Sequence, residues 1–203
     1  MEKLQKDLTR AIRKGDVATI IKLRRENDQL PSLEGETYKK VSIAGVDLSY
    51  LDFTNTEWDS CMIERVQFKA AEWEGAYFPS SIFVDARFEK SRLNQTAADG
   101  SVFRNCEFID VDFEEVELSG ADFVNCTFTR CHFEHCDIDA STFTGGAMTD
   151  VSFEGGTFNA VTFRDVAQEN LILQGVELSG CSGSGTLPDG FRALTGRRKV
   201  VQK

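Results

Sequence analysis

The densest group of side chains able to do chemistry in this sequence is Cys126, Cys131, His132, His135 and Cys136. Thiolates and imidazoles crowded together are what zinc takes as ligands, and neighbouring thiols can carry redox chemistry. The spacing, Cys126-x4-Cys131-His132-x2-His135-Cys136, matches no zinc pattern. All six cysteines, Cys61, Cys106, Cys126, Cys131, Cys136 and Cys181, share one phase of a five-residue repeat, in which Ala, Ser, Thr or Val stands elsewhere. That phase calls for a small buried side chain, a role free cysteine fills well, while His132 and His135 should point outward. There are only two histidines and no phosphate-cradling glycine loop. The sequence therefore predicts no catalytic residue, no metal, no cofactor and no enzyme.

The element that positions these residues is set by the same period. Every fifth residue from Ile43 to Leu178 is large and apolar except Ala98 and Gln168, and of the sixteen phenylalanines only Phe191 falls outside the series. Two places before each stands a small or β-branched residue in nearly every case, from Val41 and Val46 to Val176, with Leu51 and Leu171 as exceptions. Five matches neither the helical 3.6 nor the strand period of two. Each block reads as one short extended step, in, out, in, followed by a bend. Repeated steps wind into coils that bury their inner residues only by stacking about 4.8 Å apart, which is a solenoid. Ala98, beside the turn signal Asp99-Gly100, and Gln168 should mark local distortions of the stack.

Residues 41 to 180 resemble the pentapeptide repeat family, whose consensus places a small residue two before a central Leu or Phe; Ala121-Asp122-Phe123-Val124-Asn125 and Cys126-Thr127-Phe128-Thr129-Arg130 are the best local matches. The resemblance implies an all-β solenoid, a right-handed quadrilateral β-helix with twenty residues per coil and about seven coils. On that geometry Cys106 and Cys126 stack on adjacent coils, within disulfide reach, and a reduced pair is expected in a cytosolic protein.

Residues 1-40 are expected to form a helical N-terminal cap, 41-182 the β-helix, and 183-203 a C-terminal cap and basic tail. In the first segment Leu4, Leu8, Ala11 and Ile12 line one helical face, Gly15 divides two helices, Asp16 offers an N-cap, and Pro31 ends the segment. The helices cover the open first coil or dock a partner. The break at residues 182–190, closure by Phe191 and Leu194, and the solvated tail Arg197-Arg198-Lys199 follow at the far end. The first residues lack a signal-peptide core and no run is long enough to span a membrane, so a cytoplasmic location is expected.

With the interior filled by aromatic ladders, information is left to the exterior. The net charge of −10 excludes direct binding to nucleic acid or an anionic membrane. Sorted by side of a twenty-residue coil, acids gather on two adjoining sides. Around the column Phe53, Trp73, Leu93, Phe113, Phe133 and Phe153 lie Asp52, Glu72, Glu74, Asp112, Glu114, Glu115, Glu134 and Glu154, against the single base Arg92. Around Trp58 and Phe78 the column carries Glu57, Asp59, Asp99, Glu117, Asp137, Asp139 and Glu177, with no base at all. That is roughly one net charge per 2.4 Å of axis, against about 1.7 Å for duplex DNA. One branch of the family, the quinolone-resistance proteins and the mycobacterial fluoroquinolone-resistance protein, looks like DNA and binds DNA gyrase or topoisomerase IV; the resemblance implies such a DNA-mimicking role, protecting the enzyme from an inhibitor. The absence of loops between coils and the helical cap favour the alternative, a general interaction scaffold, regulatory or effector-associated, whose partner is unrelated to DNA. The acidic sides could equally serve only solubility. On a third side Met62, Ile82 and Val102, with Val84 and Val124 beside them, form an apolar strip that marks a self-association surface, and hence a homodimer, or is covered by the N-terminal segment.

Overall fold

The computed structural model describes residues 1–184; the expected closure by Phe191 and Leu194 and the basic tail lie outside the described residues. Two helices, α1 (Glu2–Lys14) and α2 (Val17–Glu26), are followed by three-residue strands whose centres are inward and whose flanks face out. Every strand pair is parallel with partners twenty residues apart, such as Phe103 on Phe123 and Phe113 on Phe133. The result is a four-sided β-solenoid of about seven coils. Its sides are named here by the central residues of one coil, Phe103, Phe108, Phe113 and Leu118.

Rung-on-rung stacking puts aromatic rings face to face. On the Phe103 side Phe83, Phe103, Phe123, Phe143 and Phe163 form a ladder with centroid spacings of 4.9, 4.8, 4.7 and 4.9 Å. Phe68, Phe88, Phe108 and Phe128 repeat it on the next side at 4.9, 5.0 and 4.7 Å. These spacings track the inter-strand distance, so backbone pairing and ring stacking are satisfied by one geometry.

Each coil turns its corners on a left-handed residue two places after the centre. Gly35, Gly45, Gly75, Gly100 and Gly120 supply some of these, but Ala70, Ala140 and Ala160 take the same conformation with φ of 47°, 51° and 56°. Between the corners the small positions fasten one coil to the last. The Ser81 hydroxyl donates to the Trp58 carbonyl at 2.6 Å and accepts from the Cys61 N–H at 2.9 Å. Ser91 does the same toward Phe68 and Ala71 at 2.8 and 3.2 Å.

Both irregular centres sit in regular rungs, contrary to the distortion expected of them. Ala98 is buried, and its neighbour Ala97 keeps parallel bridges to Tyr77 and Glu117. Gln168 lies in the strand Ala167–Glu169 stacked on Met148; it is only half-buried, so its amide is not sealed from water. Backbone pairing holds such a rung whatever its centre, with both neighbouring coils at Ala97 and with the Met148 rung at Gln168.

At the N-terminus Leu8, Ala11, Ile12 and Ile20 are buried. The Asp16 carboxylate caps α2 by accepting from the Thr19 N–H at 3.0 Å and its hydroxyl at 2.7 Å. The chain turns between the helices on Gly15, φ 63°, where a Cβ would lie 2.4 Å from the Ser42 carbonyl oxygen. Arg13 and Arg24 tie the helices to the first coil through Glu36 at 2.7 Å and the Ser49 carbonyl at 3.0 Å. The solenoid ladder also starts before residue 41: Leu33 and Tyr38 are buried centres, and their N-terminal rung pairs Thr37–Lys39 with Glu57–Asp59.

Candidate partner-binding faces

The Cys–His cluster is dispersed by the coil. Cys131 and Cys136 point inward on different corners, their thiols donating to the carbonyls of Phe108 and Phe113 at 3.3 Å each. Burial pushes both thiols up to about 12. Cys126 turns inward likewise to the Phe103 carbonyl at 3.3 Å, and all six cysteines are free thiols, Cys106 and Cys126 included. His132 and His135 face outward, flanking Glu134 at 3.6 and 3.8 Å.

Charge is arranged differently on the Phe108 side and around the corner between the Phe113 and Leu118 sides. On the Phe108 side, cations meet carboxylates one rung away: Lys69 with Glu89 at 2.9 Å, Arg130 with Asp110 at 2.6 Å, and Arg87 with Glu107. Hydrogen bonding to Arg130 holds the Asp110 carboxyl below the usual range. Around the corner between the Phe113 and Leu118 sides four carboxylates have neutral partners instead. Glu114 accepts from Asn94 at 3.0 Å, Glu115 from Gln95 at 3.0 Å, Asp137 from Thr157 at 2.7 Å and Asp139 from Asn159 at 2.9 Å. These contacts satisfy oxygens without cancelling charge.

The expected acidic residues divide into two groups. Near the N-terminal end, Lys39 lies 3.2 Å from Glu57 and 4.0 Å from Asp59, and Arg92 lies 3.8 Å from Glu72. The side expected to carry no base therefore carries Lys39, because the first coil includes the Tyr38 rung. Burial opposes the charge of Asp52, but hydrogen bonds from Thr54 and Ser32 hold its carboxyl below the usual range; Glu74 is exposed on the next rung. The second group gathers around the corner between Phe113 and Leu118. Glu114, Glu134 and Glu154 stand in register on three consecutive rungs, and Glu117 bridges to Asp137 beside them. With Asp112, Glu115 and Asp139 they make eight carboxylates over three coils, with His132 and His135 as the only bases among them. Glu115, Glu117, His135 and Asp137 line an open groove along this corner.

The apolar strip is in register as expected, Met62 on Ile82 on Val102. Met62 is 45% exposed. The helices sit at the solenoid end, contacting Thr37, Ser42, Asp47 and Ser49, so they do not cover the strip. Among the described residues no helix is long and apolar enough to cross a membrane.

Residues 66–143 match the family model described as a pentapeptide repeat region. Among solved structures, a trypsin-treated form of QnrB1, a plasmid-mediated fluoroquinolone resistance protein, is similar at 15% identity over 84% of this chain and 96% of that one, with a TM-score of 0.42. HetL, a pentapeptide repeat protein involved in heterocyst differentiation regulation from the cyanobacterium Nostoc sp. strain PCC 7120, shares 12% identity over 86% of this chain and 98% of its own, with a TM-score of 0.24. Rfr23, a pentapeptide repeat protein from the cyanobacterium Cyanothece 51142, shares 12% over 83% and 98%, with a TM-score of 0.24. No curated protein matches the chain.

Proposed function

The chain carries a pentapeptide repeat region, a fold that generally serves structure and interaction and not catalysis, and we propose that it is a non-enzymatic, DNA-mimicking protein. Its partner is a protein with a basic, DNA-binding surface, and DNA gyrase or topoisomerase IV is the partner that the family resemblance implies. One observation carries the reading: around the Phe113–Leu118 corner Glu114, Glu134 and Glu154 stack on one another and Glu117 on Asp137, and among the described residues none of them forms an ion pair with Lys or Arg. Like charges directly opposite across strands are destabilising, and on the Phe108 side the same fold pairs Glu89, Glu107 and Asp110 with Lys or Arg one coil away. Eight carboxylates on three coils of about 4.8 Å each give about one charge per 1.8 Å, close to the ≈ 1.7 Å of duplex DNA. A rigid rod with that field steers toward a basic cleft, with an association that salt weakens.

Purified protein is expected to bind a type II topoisomerase at low salt and to inhibit supercoiling or relieve inhibitor-induced cleavage. Converting Asp112, Glu114, Glu115, Asp137 and Asp139 to Asn or Gln should abolish the effect with the fold intact. Absence of binding to both enzymes at low salt, including those of its own host, would reject the DNA-mimic reading in favour of an interaction scaffold with another partner.

A further inference from the structure

The Phe103 side carries the strip Met62, Ile82 and Val102, and we infer that this side pairs with the same side of a second copy, antiparallel, about a twofold axis passing through the rung Ile82–Val84. A face-to-face twofold contact is isologous, so the surface must complement itself. With the axis along the strand direction, each outward column meets its own column with coil order reversed. Ile82 then meets Ile82 and Val84 meets Val84. Met62 falls on Val102, and Glu64 falls on Arg104. Apolar residues thus meet apolar residues, and the charged pair of the neighbouring rungs closes twice, once on each side of the axis.

Other registers do not do this. Moving the axis half a coil puts Glu64 on Val84 and Arg104 on Ala44. A parallel pairing sets Met62 on Glu64 and Val102 on Arg104. Arg104 is exposed and makes no ion pair within the chain among the described residues, so its charge is available to the second copy. Among the described residues the Glu64 carboxylate forms an ion pair only with the adjacent Arg65. The acidic corner is not part of this surface, so dimerisation leaves it open to a partner.

Two features limit the affinity. The matched rungs cover about 15 Å of axis at 4.8 Å each, on a side only one short strand wide, well under the roughly 800 Å² per partner of standard interfaces. Asp85, which accepts from Asn105 at 3.1 Å, meets its own copy at the axis. The dimer is therefore weak and reversible, and Asp85→Asn should tighten it.

Sedimentation of the full chain from about 1 to several hundred micromolar tests the inference. Wild type is expected to show a concentration-dependent dimer, at least tenfold weakened by Ile82→Lys with no fall in melting temperature. Glu64→Arg and Arg104→Glu should each weaken it as well, and the double variant should restore it, a rescue that general surface chemistry would not give. A strictly monomeric wild type overturns the inference, as does a dimer indifferent to Ile82→Lys or without rescue in the charge swap. A monomer whose melting temperature falls with Ile82→Lys also overturns it, showing the strip covered by the chain itself.

Discussion

At the scale of single residues, the five-residue block assigns each side chain a role by phase. Phe113 lies inside, stacked 4.2 Å from Phe133, and its neighbour Glu114 is exposed. Phe113→Asp should unfold the chain, since a carboxylate would be buried without a partner, whereas Glu114→Ala should leave the fold intact and its melting temperature no lower. Similar melting curves for the two would reject the inward and outward assignment. The small positions discriminate further. Ser81→Ala removes both a donor to Trp58 and the acceptor of the Cys61 N–H, which predicts a loss of about 1–3 kcal/mol in chemical denaturation. Ser81→Cys should lose less, because cysteines in the same phase keep the bond to the preceding coil's carbonyl, as Cys61 does to Tyr38 at 3.3 Å. The periodicity shows that this phase is small, but not that a Ser, Thr or Cys there donates, because the accepting carbonyl lies twenty-three residues back and only the coil brings it near.

At the scale of elements, the rung, its corner and the helical cap each have a separate determinant. A non-glycine residue in the left-handed region costs about 1–2 kcal/mol, more than the roughly 0.5–1 kcal/mol entropic cost of glycine. Ala140→Gly and Ala160→Gly should therefore raise stability, contrary to the usual effect of glycine, and a lower denaturation midpoint for both would contradict the corner geometry. Gly15→Ala combines the same backbone cost with a clash against Ser42, so it should loosen the cap, read as faster amide exchange in α1 and the first coil. The helices, Gly15 and the Asp16 cap were legible because helix signals are local. The corners were written in the sequence as Gly, Asn and Asp two places after the centres, at Gly75, Asn125 and Asp150 for example; a backbone requirement carries no burial pattern and was not read. Leu33 and Tyr38 continue the five-residue series backward, but Pro31 and the charged neighbours Glu34, Glu36, Lys39 and Lys40 mask the apolar rhythm. The consequence at the surface is an additional base, since Lys39 rides on that rung beside Glu57.

At the scale of the whole molecule, the two charge arrangements impose opposite demands. The acidic columns were legible once a coil length of twenty was assumed, because that number decides which residues share a side; the contrast between cationic and neutral partners needed the structure, since it depends on which side chains reach across a rung. The Glu114–Glu134–Glu154 stack and its neighbours repel one another in the folded chain and are far apart in the unfolded one, so the corner should cost stability at low ionic strength. The screening length shrinks from about 30 Å at 0.01 M to about 10 Å at 0.1 M salt, so added salt progressively weakens the repulsion along these rungs. Melting temperature should therefore rise between about 10 mM and 0.3 M sodium chloride, while affinity for a basic partner falls over the same range. Glu134→Gln, at the centre of the stack, should raise the low-salt melting temperature, flatten its salt dependence and weaken partner binding together. A variant that gains stability and still binds as wild type would separate the stacked charge from recognition, leaving the acidic corner as a solubilising surface. A variant that gains neither would show that the repulsion is already relieved by solvent, and that the neutral partners of these carboxylates carry no functional cost.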